Sequence, residues 1–313
     1  MSAEVRVQVR PRMGTLLAIS LPVSAISLQG KQLRAAFAMA TRAEAVMSRF
    51  DSASPLSRLN RRAGHPGGVR SAPLAQYVRR ARSLSTRLHG AFDPTVAPVV
   101  DCWRRAARRG DMPTLSALTR ALACVGVTRL LIRGDRVALA RQGMALDLGG
   151  IGKGLALDRI AAMLRRRNCR SACLNFGEST LVAIGGTTGG TWRVALRDPF
   201  GAGFLGDFAL RDSACSTSST LGQTIQVQGR VLGHIINPGT GQPPSSISQA
   251  TVLARSAAVA EAVSTALLVL GRNCVEEIAR QMKVEICWID RAGIYATSGF
   301  MLRRAPSGAE GWS

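Results

Sequence analysis

The sequence predicts an α+β protein, a single domain of mixed, largely antiparallel sheets flanked by helices. Three observations carry that reading. Apolar residues recur at helical spacing in several long stretches, and shorter runs alternate or are rich in β-branched residues. No linker, repeat or low-complexity segment divides the 313 residues, which are enough to bury a core of their own.

The elements follow in order. Residues 1–12 are expected as a basic tail, and 14–28 as the first strand. A helix is expected over 31–50, with Leu33, Phe37, Ala40 and Met47 on one face and Arg34 and Arg42 outside it. After a polar Ser-rich loop at 51–55, a second helix is expected over 73–89, with Pro at its start where a missing N–H costs nothing. Helical patterns occupy 96–109 and 114–123, and a Gly-Asp turn splits strands at 128–133 and 136–140. A helix over 153–167 follows a Gly-rich segment. Apolar strands fit 171–176, 180–184, 192–197, 206–210, 223–228 and 230–236. The Ala-rich stretch 256–270 reads as a helix closed by Gly271, followed by a helix at 273–282 and strands at 284–290 and 293–297. The domain is expected to span 13–303, with a tail at 304–313.

Composition narrows the function. The formal net charge of +22 is almost all Arg, since the only lysines are Lys31, Lys153 and Lys283. Its Arg runs fall in or beside helical patterns without interleaved aromatic residues, so they lack the stacking surface of a single-strand binder. The charge describes attraction to anions in general, and no specific nucleic acid is expected. Seven cysteines without CxxC pairing fit a reducing compartment. Neither the apolar run of a signal peptide nor a membrane span is seen, so the expectation is a soluble cytoplasmic protein.

Three segments could carry chemistry. The first is Asp147-Leu148-Gly149-Gly150-Ile151-Gly152-Lys153-Gly154. It fails as a P-loop, because Asp147 stands where the first Gly is needed and Gly154 where Ser or Thr follows the Lys. It fails as a Rossmann turn because position 155 is Leu. Its glycines still let backbone approach a ligand, and a helix starting near Lys153 aims N–H groups at an anion. Second, Glu261 and Thr265 share one face of an otherwise apolar helix, where oxygen ligands suit Mg²⁺. Third, His234 precedes the turn Asn237-Pro238-Gly239, and His acts as a base near neutral pH. Ser218 and Ser219 could hydrogen-bond phosphate, but Ser/Thr clusters are usually loops. No Gly-x-Ser-x-Gly elbow supports a hydrolase.

The order of these segments, with Met13-Gly14-Thr15, Met47-Ser48-Arg49-Phe50-Asp51, Gly90-Ala91-Phe92-Asp93-Pro94-Thr95, Asn175-Phe176-Gly177 and Thr297-Ser298-Gly299-Phe300, resembles the ApbE family of FAD:protein FMN transferases. The likeness spans roughly 13–300. It implies a T-fold-related domain with FAD in a cleft lined by Met13, Phe50, Ala91, Phe92, Asp93, Asp147, Gly149, Gly150, Lys153 and Ile236. It further implies Mg²⁺ on the side chains of Glu261 and Thr265 and the backbone carbonyl of Gly152. His234 would activate the acceptor threonine or orient phosphate. The partner implied is an acceptor protein, such as a membrane redox protein or FMN-binding domain. The sequence departs from the family at Glu261 (Asp in the family), Gly177-Glu178-Ser179 (Gly-Gly-Asp), Asn237 (Asp) and Ser219 (Gly). These departures keep open a non-catalytic FAD-binding protein, and the charge alone keeps open a basic nucleic-acid or membrane-surface protein.

Overall fold

The computed structural model describes residues 5–22, 26–187, 190–222, 224–227 and 230–305. At its centre is an eight-stranded sheet. Its spatial order is β1 (Val5–Arg12), β2 (Thr15–Pro22), β6 (Ala172–Phe176), β7 (Thr180–Ile184), β10 (Ala214–Ser219), β13 (Gln249–Ala254), β14 (Glu285–Asp290) and β15 (Gly293–Ala296). Every neighbouring pair in it is antiparallel. Such sheets bury alternate residues on each face, and here both faces of the central strands are covered, while Val7, Val9 and Leu16 at the β1–β2 edge stay exposed.

One face packs against helices α1 (Ile26–Met47), α6 (Gly152–Arg166) and α7 (Ala257–Leu270), forming the main core around Leu17, Ile19, Phe37, Leu174 and Val252. The other face is closed by a small antiparallel sheet ordered β16 (Leu302–Arg304), β9 (Phe204–Leu210) and β8 (Trp192–Arg197). There Leu181, Cys215 and Cys287 meet Trp192, Phe208 and Phe300 in a second cluster. Beside the main core lie α2 (Pro55–Arg61), α3 (Ala72–Arg87) and a three-stranded sheet ordered β3 (Val69–Arg70), β5 (Arg136–Leu139) and β4 (Leu130–Arg133). A third cluster joins α4 (Ala97–Ala107), α5 (Leu115–Leu122) and the hairpin β11 (Thr224–Val227)/β12 (Arg230–Gly233). The short α8 (Val275–Met282) leads into β14.

Several expectations change. The stretch expected as an N-terminal tail is strand β1 from Val5 onward, paired along its length with β2. The first strand ends at Pro22 and the helix after it begins at Ile26, earlier than its apolar face suggested. The C-terminal tail placed at 304–313 begins inside β16, and from 306 on it lies outside the described residues. The strand expectations at 223 and 228 also fall on residues outside that set. β10 and β13, two central strands, were not anticipated. Ala214-Cys215-Ser216-Thr217-Ser218-Ser219 has the composition of a loop, and pairing on both sides overrides it.

Candidate functional site

The site grows from the crossing of α6 and α7. Gly154 sits where the helices touch, and a Cβ there would stand 2.6 Å from the Ala257 carbonyl and the Ala258 nitrogen. Each helix start is capped by a carboxylate from the other. Asp158 of α6 accepts the Ser256 hydroxyl at 2.6 Å and the Ala257 amide at 2.7 Å at the start of α7. Glu261 of α7 does the same for α6, its Oε2 accepting the Gly154 amide at 2.7 Å. Orphan N–H groups in a first helical turn need such partners, and a carboxylate there also meets the positive end of the helix dipole.

Glu261 is only 4% exposed. Its second oxygen accepts the Thr180 hydroxyl at 2.8 Å and lies 3.6 Å from the Lys153 ammonium. Burial pushes the Glu261 carboxyl up, opposed by Lys153, the Gly154 amide and the Thr180 hydroxyl. Lys153 also donates to Ser179 Oγ. One turn along α7, Ser264 and Thr265 meet β10: the Ser218 hydroxyl lies 2.8 Å from Ser264 Oγ and 3.4 Å from Thr265 Oγ1. The polar run that looked like a loop therefore presents hydroxyls to the site.

The Gly-rich segment lies against this face. A Cβ at Gly150 would stand 3.5 Å from the Phe92 ring and 3.9 Å from Thr265 Oγ1, which places the segment beside both residues. Asp147 is fixed by three contacts: its amide donates to the Pro94 carbonyl, its Oδ1 accepts the Gly149 amide at 2.7 Å, and its Oδ2 pairs with Arg49 at 2.8 Å. Arg49 also pairs with Asp101 at 2.6 Å and passes 5.9 Å from the Phe50 ring. Phe50 itself is 86% exposed. Asp93 is buried, with its Oδ1 accepting both the amide and the hydroxyl of Thr95. Met13 occupies the β1–β2 turn with φ of 50°, its amide donating to Glu44 at 2.7 Å.

The sequence pattern of the ApbE family matches residues 13–288. The chain belongs to the ApbE family. Among its relatives, the FAD:protein FMN transferase of Rhodobacter capsulatus is 34% identical over 72% of this chain, and that of Treponema pallidum is 30% identical over 76%. The chain spans 44% of the length of the first and 71% of the second. The flavin transferase ApbE of Vibrio cholerae superposes with a TM-score of 0.82 at 26% identity, covering 95% of this chain and 98% of that one. The ApbE protein of Thermotoga maritima shares the fold, with a TM-score of 0.85 at 24% identity over 94% of this chain and 97% of that one.

Within this ApbE-family fold, Gly150 lies beside Phe92 and Thr265, Lys153 pairs with Glu261, and Asp147 accepts the Gly149 amide. Gly152 begins α6 beside Met47. Ala91 is buried next to Phe92. His234 is half-buried directly after β12; a Cβ on the preceding Gly233 would stand 2.7 Å from the Thr220 carbonyl, just past the β10 end that carries Ser218. Ile236 is 4% exposed and packs with Val99, Trp103 and Leu118 in the third cluster. Sequence reasoning missed Thr180, Asp101 and the pairing role of Arg49, and it marked Ser179 only as a departure from the family pattern. Thr180 opens an apolar strand and gives no polar signal. Arg49 and Asp101 are far apart in the chain, and only the fold brings them together.

Proposed function

We propose that this chain transfers FMN from FAD to a threonine of an acceptor protein and releases AMP, with Mg²⁺ as its metal. The observation that carries the reading is the meeting of the α6 N-terminus, Lys153 and the Glu261–Thr265 face of α7 at one place. The relatives named FAD:protein FMN transferase support it. The Lys153 ammonium, at the start of α6, suits a pyrophosphate. The bare backbone at Gly149 and Gly150 lets it approach.

The residues present fit Mg²⁺. Glu261, Thr265 and the Gly152 carbonyl are all hard oxygen donors. Among the described residues there is no cluster of three or more His, Cys, Asp or Glu. A cation here would rely on one carboxylate, neutral oxygens and the substrate's phosphates, which is how Mg²⁺ is commonly held. When bound it supplies charge compensation for the pyrophosphate. The acceptor hydroxyl oxygen bonds to the FMN phosphorus while the bond from that phosphorus to the AMP oxygen breaks. His234 takes the hydroxyl proton, and AMP leaves as its phosphate anion. The seven free thiols suit a reducing compartment such as the cytoplasm. Among the described residues no helix is long and apolar enough to cross a membrane.

The test incubates the chain with FAD, Mg²⁺ and candidate acceptor domains, then runs a denaturing gel. Flavin fluorescence should stay with an acceptor band and vanish with EDTA. FAD bound but no fluorescent acceptor across several domains would overturn the reading. One observation favours a second reading, a protein that only holds FAD: both Glu261 oxygens already serve as acceptors, one capping α6 and one taking the Thr180 hydroxyl. That reading predicts that Glu261→Asp creates transfer where the native chain has none. Loss of an existing activity in Glu261→Ala rules it out.

A further inference from the structure

We infer that the open edge of β1 docks an extended segment of the acceptor protein in which acidic and apolar residues alternate. The inference rests on the transferase reading. β1 is the terminal strand of the eight-stranded sheet, and among the described residues no strand pairs with its outer side. The register fixes which of its groups face outward. The two-residue turn Met13-Gly14, with φ of 50° and 72°, closes Arg12 against Thr15. The Leu16 carbonyl accepts the Gly177 amide on the β6 side, so the backbone of Pro11, its partner across the hairpin, faces away from β2. Alternation then turns the N–H and C=O groups of Val5, Val7 and Val9 to the open edge. Pro11, which has no N–H to offer, ends that row.

The side chains form two stripes. Arg6, Gln8, Arg10 and Arg12 lie on the α1 side, where the Arg10 guanidinium stands 4.6 Å from the Phe37 ring. Val5, Val7, Val9 and Pro11 lie on the other, with Val7 53% and Val9 52% exposed and Leu16 54% exposed beside Pro11. An exposed β-branched edge of this kind is a template for strand addition. An added strand sets alternate side chains beside each stripe, so acids would meet the arginines and apolar groups the valines. β1 carries three cations and no acid, and pairing two copies of it would set Arg against Arg. The strand also leads to the site. Past the turn, Thr15 packs on Gly177, where a Cβ would stand 2.8 Å from Thr15 Oγ1, and Ser179 accepts from Lys153 beside Glu261. A segment paired along Val5–Val9 would be released at Pro11, at the end where the phosphate is handled.

The probe is a peptide of alternating Glu and Val ending in Thr, carrying a far-red dye whose emission is separate from that of flavin, titrated against the full chain by anisotropy. FAD binding is followed in the same samples by its fluorescence. Saturable, salt-sensitive binding is expected. Val7→Pro removes an outward N–H while sparing the ladder to β2, and should weaken binding about tenfold, the scale of lost main-chain hydrogen bonds. N-methylation of alternate peptide amides should do the same without altering the protein, and Arg6→Glu should weaken binding and flatten the salt dependence. Equal binding of a peptide with Lys in place of every Glu, undiminished binding of the N-methylated peptide, or dimerisation through β1 seen by sedimentation would overturn the assignment. Peptide binding lost with FAD retained rejects the edge alone, whereas absent FAD binding rejects the transferase reading.

Discussion

Asp93, in the turn between α3 and α4, is 8% exposed, and burial pushes its carboxyl up despite hydrogen bonds from Thr95 and Val127. The sign follows from linkage. An acid whose folded pKa is raised contributes stability below its ordinary pKa of about 4, and loses it as pH rises through the raised value. Asparagine has no charge to bury. The stability of Asp93→Asn relative to the native chain should therefore grow between pH 4 and pH 7, by about 1.4 kcal/mol for every tenfold weakening of the buried acid. Urea titrations at the two pH values measure it, and a difference independent of pH contradicts the assignment. The helix-face placement of Glu261 and Thr265 was legible from their spacing alone. How the Glu261 oxygens are used was not, because Thr180 and the Gly154 amide reach them only through tertiary packing.

The α6–α7 crossing makes a sharper statement about an element. In an exposed helix Gly→Ala stabilises by about 1 kcal/mol. At Gly154 the new methyl would meet backbone atoms of Ala257 and Ala258 at 2.6 Å, and backbone does not yield as a side chain does. Gly154→Ala should therefore destabilise, by about 1–3 kcal/mol, with a lowered denaturant midpoint. A raised midpoint would show that the helices do not meet so closely. The sequence marks Gly154 as part of a Gly-rich phosphate segment, yet its contact is with another helix. Most helices were legible within a few residues, since apolar residues recur at helical spacing in them or, in α7, fill an Ala-rich run closed by Gly271. β10 was not, because its Ser and Thr side chains are polar on both faces and gain their place from β7, β13 and α7.

For the molecule as a whole, antiparallel α+β architecture could be read from the alternation of short strands and amphipathic helices, whereas the strand order could not. β2 lies beside β6, and β10 beside β7 and β13, through pairings between distant stretches of chain. The 41 Lys and Arg side chains are partly paired with the 19 acids, as where Arg303 pairs with buried Asp207 at 2.6 Å and Arg49 bridges Asp101 and Asp147, and the net +22 is the excess over all such pairs. What remains favours anionic ligands and acidic partners without choosing among them. The choice rests on whether the FAD pyrophosphate, proposed to bind beside Lys153 and Glu261, is broken or only held. The most direct measurement counts AMP released against FMN bound covalently to acceptor threonine, by chromatography and intact-mass spectrometry, with FAD and Mg²⁺ present. Equimolar AMP and threonine-linked FMN is the result predicted here. FAD retained intact on the protein, with neither AMP nor a heavier acceptor, would contradict it.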